Sequence, residues 1–353
     1  MPDLSSVAVR LAERGLLPEP ALRLGIRRLL RMRLDESRHG DHEAAAALTQ
    51  QFLATLRAAP LALQPEKANE QHYELPPALF QAMLGPQRKY SCCWWPGGVQ
   101  TLEQAEEAAL AETAARAQLA DGQQILELGC GWGSLSLWMA SHYPNARILA
   151  ISNSASQRAF IERQAAARGL WNLEVRTCDF NDFDAEGQYA GRFDRAVSVE
   201  MFEHLRNWPQ AFARVARWLR EDGRFFLHVF AHREAPYAFE VRDASDWMGQ
   251  HFFSGGMMPS DDLALLCQED LALVQRWRWD GRHYARTAAA WLERLDAHRE
   301  ELRPVFESVY GAAAAPMWWQ RWRLFLLSVE ELFGYDGGQQ WWVSHYLFSR
   351  RHS

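Results

Sequence analysis

The chain has 353 residues, 48% of them hydrophobic and 23% charged, and a net charge of −6 at pH 7. That length holds one large domain or a domain with a substantial extension, and the composition is that of an ordinary soluble protein. The acidic balance argues against a broad nucleic-acid-binding surface.

The opening Met1-Pro2-Asp3-Leu4-Ser5 has neither the basic nor the apolar run of a secretory leader. No stretch reaches the length of a membrane span, so a cytoplasmic protein is expected. Five cysteines, an odd number without disulfide or zinc spacing, suit a reducing compartment and predict no metal site. Apolar residues at helical spacing predict helices over 7–17, 21–34 and 43–58, within an N-terminal helical segment taken as residues 1–68. Arg23, Arg27, Arg28, Arg31 and Arg33 crowd the second of these. They read either as the solvated face of a packed helix or as a basic amphipathic helix meeting an anionic bilayer. Residues 69–100 are irregular and rich in aromatics and prolines, as in segments that line sites or merely connect elements. An alanine- and glutamate-rich helix follows over 102–120.

Strands then alternate with helices: strands at 124–128, 146–151, 173–178, 194–199 and 223–229, helices at 134–143, 154–168 and 208–219. Such regularity predicts a parallel sheet wound on both faces, with ligands at the C-terminal strand ends. After residue 230 the alternation breaks. Residues 232–268 are loop-rich, 271–277 reads as a strand, 287–332 is mostly helical and 341–349 is a closing strand. The segments 232–268 and 285–335 are therefore expected to cap the ligand edge. Sixteen tryptophans are the compositional oddity. Trp247, Trp291, Trp318, Trp319 and Trp322 fall in the cap, where one or two are expected to touch substrate.

The strand ends carry the chemistry. After the first, Gly129, Gly131 and Gly133 let the backbone turn sharply and approach a ligand. Their G-x-G-x-G spacing, with Glu127 in the strand before, is not the dinucleotide fingerprint. The second ends in ISNSASQ, where the amides of Asn153 and Gln157 offer donor and acceptor, and Ser152, Asn153 or Ser154 equally suits a helix cap. The third ends in Cys178-Asp179-Phe180: a carboxylate to accept from a ligand amine beside a ring, or a loop-starting aspartate. The fourth runs into Glu200-Met-Phe-Glu203-His204. A helical turn from Met201 would put Glu200 and His204 on one face and Glu203 elsewhere. A histidine oriented by a carboxylate is a suitable general base near neutral pH. The helix dipole accounts for the glutamates but not for a histidine at that end.

These motifs, with NEQHYELPP (69–77), KYSCCWW (89–95), RHYART (282–287) and LFGY (332–335), resemble the cyclopropane-fatty-acid-synthase-like class I S-adenosylmethionine-dependent methyltransferases. Within them the chain resembles the coclaurine N-methyltransferase type. The resemblance implies a Rossmann-like seven-stranded, mostly parallel sheet with helices on both faces. An N-terminal helical lid would precede a methyltransferase domain over 69–353 with its cap insertions. S-adenosylmethionine would lie against Tyr90, Ser91, Gly129 and Gly131, its ribose at Asn153 and Gln157, its adenine at Asp179 and Phe180. Glu203 and His204 would flank the methyl-accepting nitrogen of a small amine, with Glu200, Glu331 and Trp322 nearby and Tyr73 and Glu74 closing over it. The lipid-modifying branch holds a bicarbonate with a Cys, a Glu, a His and a Tyr. Cys92, Glu203 and His228 match three of these, but the tyrosine would fall near Leu324 or Phe325. Two further readings follow: an enzyme of phospholipid acyl chains making peripheral membrane contact, and a catalytically silent cofactor-binding protein.

Overall fold

The computed structural model describes residues 4–37, 40–61, 76–241 and 246–351. Seven strands form one sheet: β1 (Gln124–Leu128), β2 (Arg147–Ser152), β3 (Leu173–Thr177), β4 (Phe193–Val199), β5 (Leu219–His232), β6 (Leu271–Trp279) and β7 (Trp341–Arg350). Their order is β3-β2-β1-β4-β5-β7-β6. Pairing is parallel from β3 through β5, and β7 runs antiparallel to both its neighbours. This is the Rossmann-like sheet expected. Ile125, Leu126 and Leu128 of β1 are wholly buried, the continuous apolar run of a strand covered on both faces. The strand order reverses beside β1, so the crevice for a ligand opens at the C-terminal ends of β1 and β4.

Around the sheet lie α1 (Leu4–Glu13), α2 (Glu19–Glu36), α3 (His42–Ala58), α4 (Pro77–Met83), α5 (Leu102–Arg116), α6 (Ser134–His142), α7 (Ala155–Ala167), α8 (Trp208–Trp218), α9 (Trp247–His251), α10 (Gly281–Ala297), α11 (Arg299–Tyr310) and α12 (Ala315–Gly334). Local chemistry sets several of the starts. Thr101 and Gln104 make a reciprocal capping box at α5. Ser154 accepts from the Gln157 N–H at α7, so of the three candidate caps there the serine at 154 takes the role. Asn207 caps α8 through the Gln210 N–H.

One strand differs from expectation. β5 starts at Leu219 rather than 223, and between Phe193↔Leu219 and Arg195↔Arg224 five steps along β5 match two along β4. The excess is absorbed as a bulge between Leu219 and Arg224, a stretch that holds Asp222-Gly223 and in which a Cβ on Gly223 would lie 2.9 Å from the Arg220 carbonyl oxygen. The turn signal is real, but it sits inside the strand.

The N-terminal helices pack onto the C-terminal ones, α1 and α2 against α12, while α3 lies on α8. Arg23 reaches Glu330 and Glu331, Arg27 reaches Glu331, and Arg33 pairs with Glu36 and Asp246. Three of the five clustered arginines are thus engaged within the molecule. Among the described residues no helix is long and apolar enough to cross a membrane.

Candidate active site

All three glycines after β1 take positive φ: Gly129 +78°, Gly131 +52° and Gly133 +79°. A Cβ on Gly129 would lie 2.6 Å from Met201 Cγ, whereas one on Gly131 would meet nothing within 4 Å. The backbone at Gly131 faces a cleft at the C-terminal ends of the strands. Its wall brings together Tyr90, Ser91, Gly129, Gly131, Asn153, Gln157, Asp179 and Phe180, and with them Glu200 and His204.

The wall fits a polar organic ligand. Gln157 Nε2, Ser134 Oγ, Trp132 Nε1 and Thr113 Oγ1 are buried without a hydrogen-bond partner among the described residues, and all four residues line this cleft. Buried polar atoms left unpaired are costly, so four on one wall mark a place where a ligand supplies the partners. The other amide atom of Gln157, Oε1, accepts from Ser152 Oγ at 2.7 Å, which fixes the direction of Nε2. Asp179 starts its own turn by accepting from the Asn181 N–H. Glu127, buried and bonded by the Ser136 hydroxyl, has its carboxyl pushed up to about 8 by desolvation, which the serine only partly offsets. S-adenosylmethionine, polar at both ends and cationic at sulfur, suits this donor and acceptor set.

At the other end of the cleft the chain leaves β4 with Glu200 at φ +48°, a left-handed conformation rare outside glycine. Three donors hold its carboxylate: Oε1 accepts from the Cys92 N–H at 2.9 Å and lies 3.1 Å from His228 Nε2, and Oε2 accepts from the Tyr284 hydroxyl at 2.6 Å. Burial raises the pKa of Glu200 above the usual carboxylate range, opposed by the charge of Lys89 and by the Tyr284 and Cys92 hydrogen bonds. Residues 202–204 form a single 3₁₀ turn. His204 lines the cleft with its ring stacked on Phe253, centroids 4.8 Å apart.

Glu203 lies behind that wall. Its Oε1 accepts from the Phe230 N–H at 2.9 Å, while Oε2 is buried with no hydrogen-bond partner among the described residues. Burial, followed by the nearby charge of Glu200, lifts its carboxyl well above the ordinary range. Trp322 and Glu331 also lie away from the described cleft wall. Trp322 packs edge-on to Phe80, Phe252 and Phe325, and Glu331 receives Arg23 and Arg27. Among the described residues Trp132, not a cap tryptophan, is the tryptophan that lines the cleft. Tyr73 and Glu74 lie outside the described residues.

Sequence reasoning missed two groups. Lys89, 3% exposed, donates to the Cys92 carbonyl and lines the cleft as an internal cation. Tyr284 sits in the RHYART stretch, but only the folding of α10 against the end of β4 brings its hydroxyl to Glu200.

A family model described as mycolic acid cyclopropane synthetase matches residues 62–336. The chain is 35% identical over 343 residues to (S)-coclaurine N-methyltransferase of Thalictrum flavum subsp. glaucum, covering 96% of this chain and 94% of that one. It is 31% identical over 255 residues to cyclopropane-fatty-acyl-phospholipid synthase of Escherichia coli strain K12, covering 69% of this chain and 63% of that one. The crystal structure of a coclaurine N-methyltransferase bound to N-methylheliamine and SAH superimposes with a TM-score of 0.92 at 35% identity, covering 97% of this chain and 98% of that one.

Proposed function

Since the chain belongs to the mycolic acid cyclopropane synthetase family and is an S-adenosylmethionine-dependent methyltransferase, we propose that it methylates the nitrogen of a small amine of the tetrahydroisoquinoline kind. The observation that carries this reading is the Glu200 carboxylate, fixed by three donors at the acceptor end of the cleft. An amine passing from neutral to cationic during the reaction needs an anion there. Similarity to N-methyltransferases along the whole chain, rather than along part of it, supports the same choice.

When bound, S-adenosylmethionine supplies a methyl group on a positively charged sulfur. The nitrogen lone pair forms the new C–N bond as the C–S bond breaks. A protonated amine has no lone pair, so His204 takes the proton from the incoming amine, or from the product when the acceptor is a secondary amine. Glu200 then faces the new ammonium. Glu203 supports the turn carrying His204 through its bond to the Phe230 N–H. The Gly129–Gly131 backbone, Gln157 and Asp179 hold the donor in line, and alignment of this kind supplies much of the acceleration.

The lipid-branch alternative is weakened by the same carboxylate. The Cys92 N–H and His228, two groups expected around a bicarbonate, are both taken up by Glu200. Leu324 and Phe325, near which the tyrosine would fall, offer no hydroxyl. Arg23, Arg27 and Arg33, which would face a bilayer, are engaged in ion pairs.

The test is a labelled-methyl transfer screen with tetrahydroisoquinolines and simple amines beside unsaturated phospholipid vesicles. Label is expected on an amine, and is expected to be lost in His204→Ala. Label entering only the lipid overturns the proposal.

A further inference from the structure

Beyond Glu200, polar contacts run on through the sheet. Val199 pairs in register with His228, His228 with His345, and His345 with Trp277, so one transverse row crosses β4, β5, β7 and β6. His228 and His345 are both fully buried. His345 Nε2 lies 2.9 Å from His228 Nδ1, and His345 Nδ1 lies 2.7 Å from Arg116 Nη1 at the end of α5. The guanidinium sits 5.3 Å from the Trp277 ring centroid and 5.6 Å from that of Trp279, and pairs with Glu112 at 2.7 Å.

The direction of this chain is fixed by its far end. Arginine carries only donors, so His345 Nδ1 must accept. A neutral imidazole has one N–H, which His345 then carries on Nε2 and donates to His228 Nδ1. His228 in turn carries its hydrogen on Nε2 and donates to Glu200. Reversing either tautomer would set two donors or two acceptors face to face. Burial, the largest cause, together with the surrounding cations, holds both imidazoles well below their ordinary pKa, as neutral acceptors must be. Donors aligned head to tail polarise one another in a single sense.

We propose that Arg116, His345 and His228 form a one-way hydrogen-bond chain that fixes the Glu200 carboxylate toward the methyl acceptor, which makes Arg116 and His345 positioning residues for methyl transfer. The inference rests on the amine N-methyltransferase reading above. With Oε1 filled by the Cys92 N–H and His228, and Oε2 by Tyr284, one lone-pair direction of Oε2 remains for the N–H of the amine.

Two arms test it, and the first does not depend on the acceptor. ¹⁵N spectra of the histidines at pH 7, assigned with single His→Gln variants, are expected to give His228 and His345 as neutral Nε2–H tautomers. An Nδ1–H tautomer or an imidazolium at either position overturns the proposal. The second arm compares His345→Phe, which removes the donor to His228, with His345→Gln, whose amide can restore it. Turnover is measured with whichever acceptor takes the label. His345→Phe is expected to lower kcat at least tenfold with the Kd for S-adenosylhomocysteine unchanged, and His345→Gln to recover most of the loss. Equal loss in both variants, or wild-type turnover in His345→Phe, overturns it. If no amine is methylated the functional reading fails, while the spectra still decide the hydrogen-bond chain.

Discussion

Glu200 is the residue on which geometry and chemistry meet. A non-glycine residue at φ +48° carries local strain of about 1–3 kcal/mol. Three hydrogen bonds and the adjoining N–H of Glu200, which donates to the His228 carbonyl at 2.9 Å, hold it there. Glu200→Gln keeps the backbone and an acceptor for the Cys92 N–H and His228, and removes the charge together with the second acceptor oxygen, the one that faces Tyr284. A fixed group facing charge that develops in the transition state contributes roughly 10²–10³ in rate when preorganised. Turnover of the amine is therefore expected to fall about a hundredfold in Glu200→Gln, with the melting temperature close to that of the wild type. A large drop in melting temperature, or unchanged turnover, would place the role of Glu200 in folding instead. Glu203, three residues further on, shows how near in sequence the alternatives lie. Its carboxylate faces the Phe230 N–H rather than the cleft.

At the scale of elements, the N-terminal helices are fastened to α12 by carboxylates whose protonation releases them. Burial raises the pKa of Glu331, but the hydrogen bonds and charges of Arg27 and Arg23 outweigh it, and the net shift is downward. Glu13 shifts the same way: burial is outweighed by Arg321, Trp247 and His251. A carboxylate with a depressed folded-state pKa contributes stability that is complete above its unfolded value, about 4.3, and is lost as pH falls through the folded value. Protection against hydrogen exchange, taken relative to the intrinsic rate at each pH, should fall in α1 and α2 before it does in β1 and β4 as pH is lowered from 6 to about 3.5. Uniform exchange across both regions would mean that the helices are not separately fastened. This fastening was not legible in the sequence. The arginines of α2 stood out, but their partners lie some 300 residues later. The strands, by contrast, were readable because each is a short apolar run ending in a distinctive turn. Gly129, Asn153, Asp179 and Glu200 follow consecutive parallel strands, so sequence position alone put them on one edge. Tyr284 and His345 reach the site from α10 and from the last, antiparallel strand, where only the three-dimensional register brings them in.

The whole molecule adds a field to these local contacts. Its net charge is −6, whereas the cleft wall itself carries Asp179 and Glu200 against Arg88 and Lys89, with Glu127, its carboxyl pushed up to about 8, largely protonated at pH 7. A small aliphatic amine travels through water at pH 7 as a cation, so under the proposed function the enzyme would attract it before binding and would then have to remove its proton before the nitrogen could react. Encounter would thus be favoured by long-range charge, whereas the chemical step would depend on groups buried beside the nitrogen. Salt separates the two, because exposed charges are screened beyond about 10 Å at 0.1 M ionic strength while buried pairs are affected much less. With a tetrahydroisoquinoline acceptor, kcat/KM is expected to fall several-fold as ionic strength rises from about 0.02 to 0.5 M, with kcat nearly constant. A neutral isostere, in which carbon replaces the basic nitrogen, should inhibit with a constant that hardly changes over the same range. Equal salt dependence for cationic and neutral ligands would mean that hydrophobic contact, not the acidic field, draws the acceptor into the cleft.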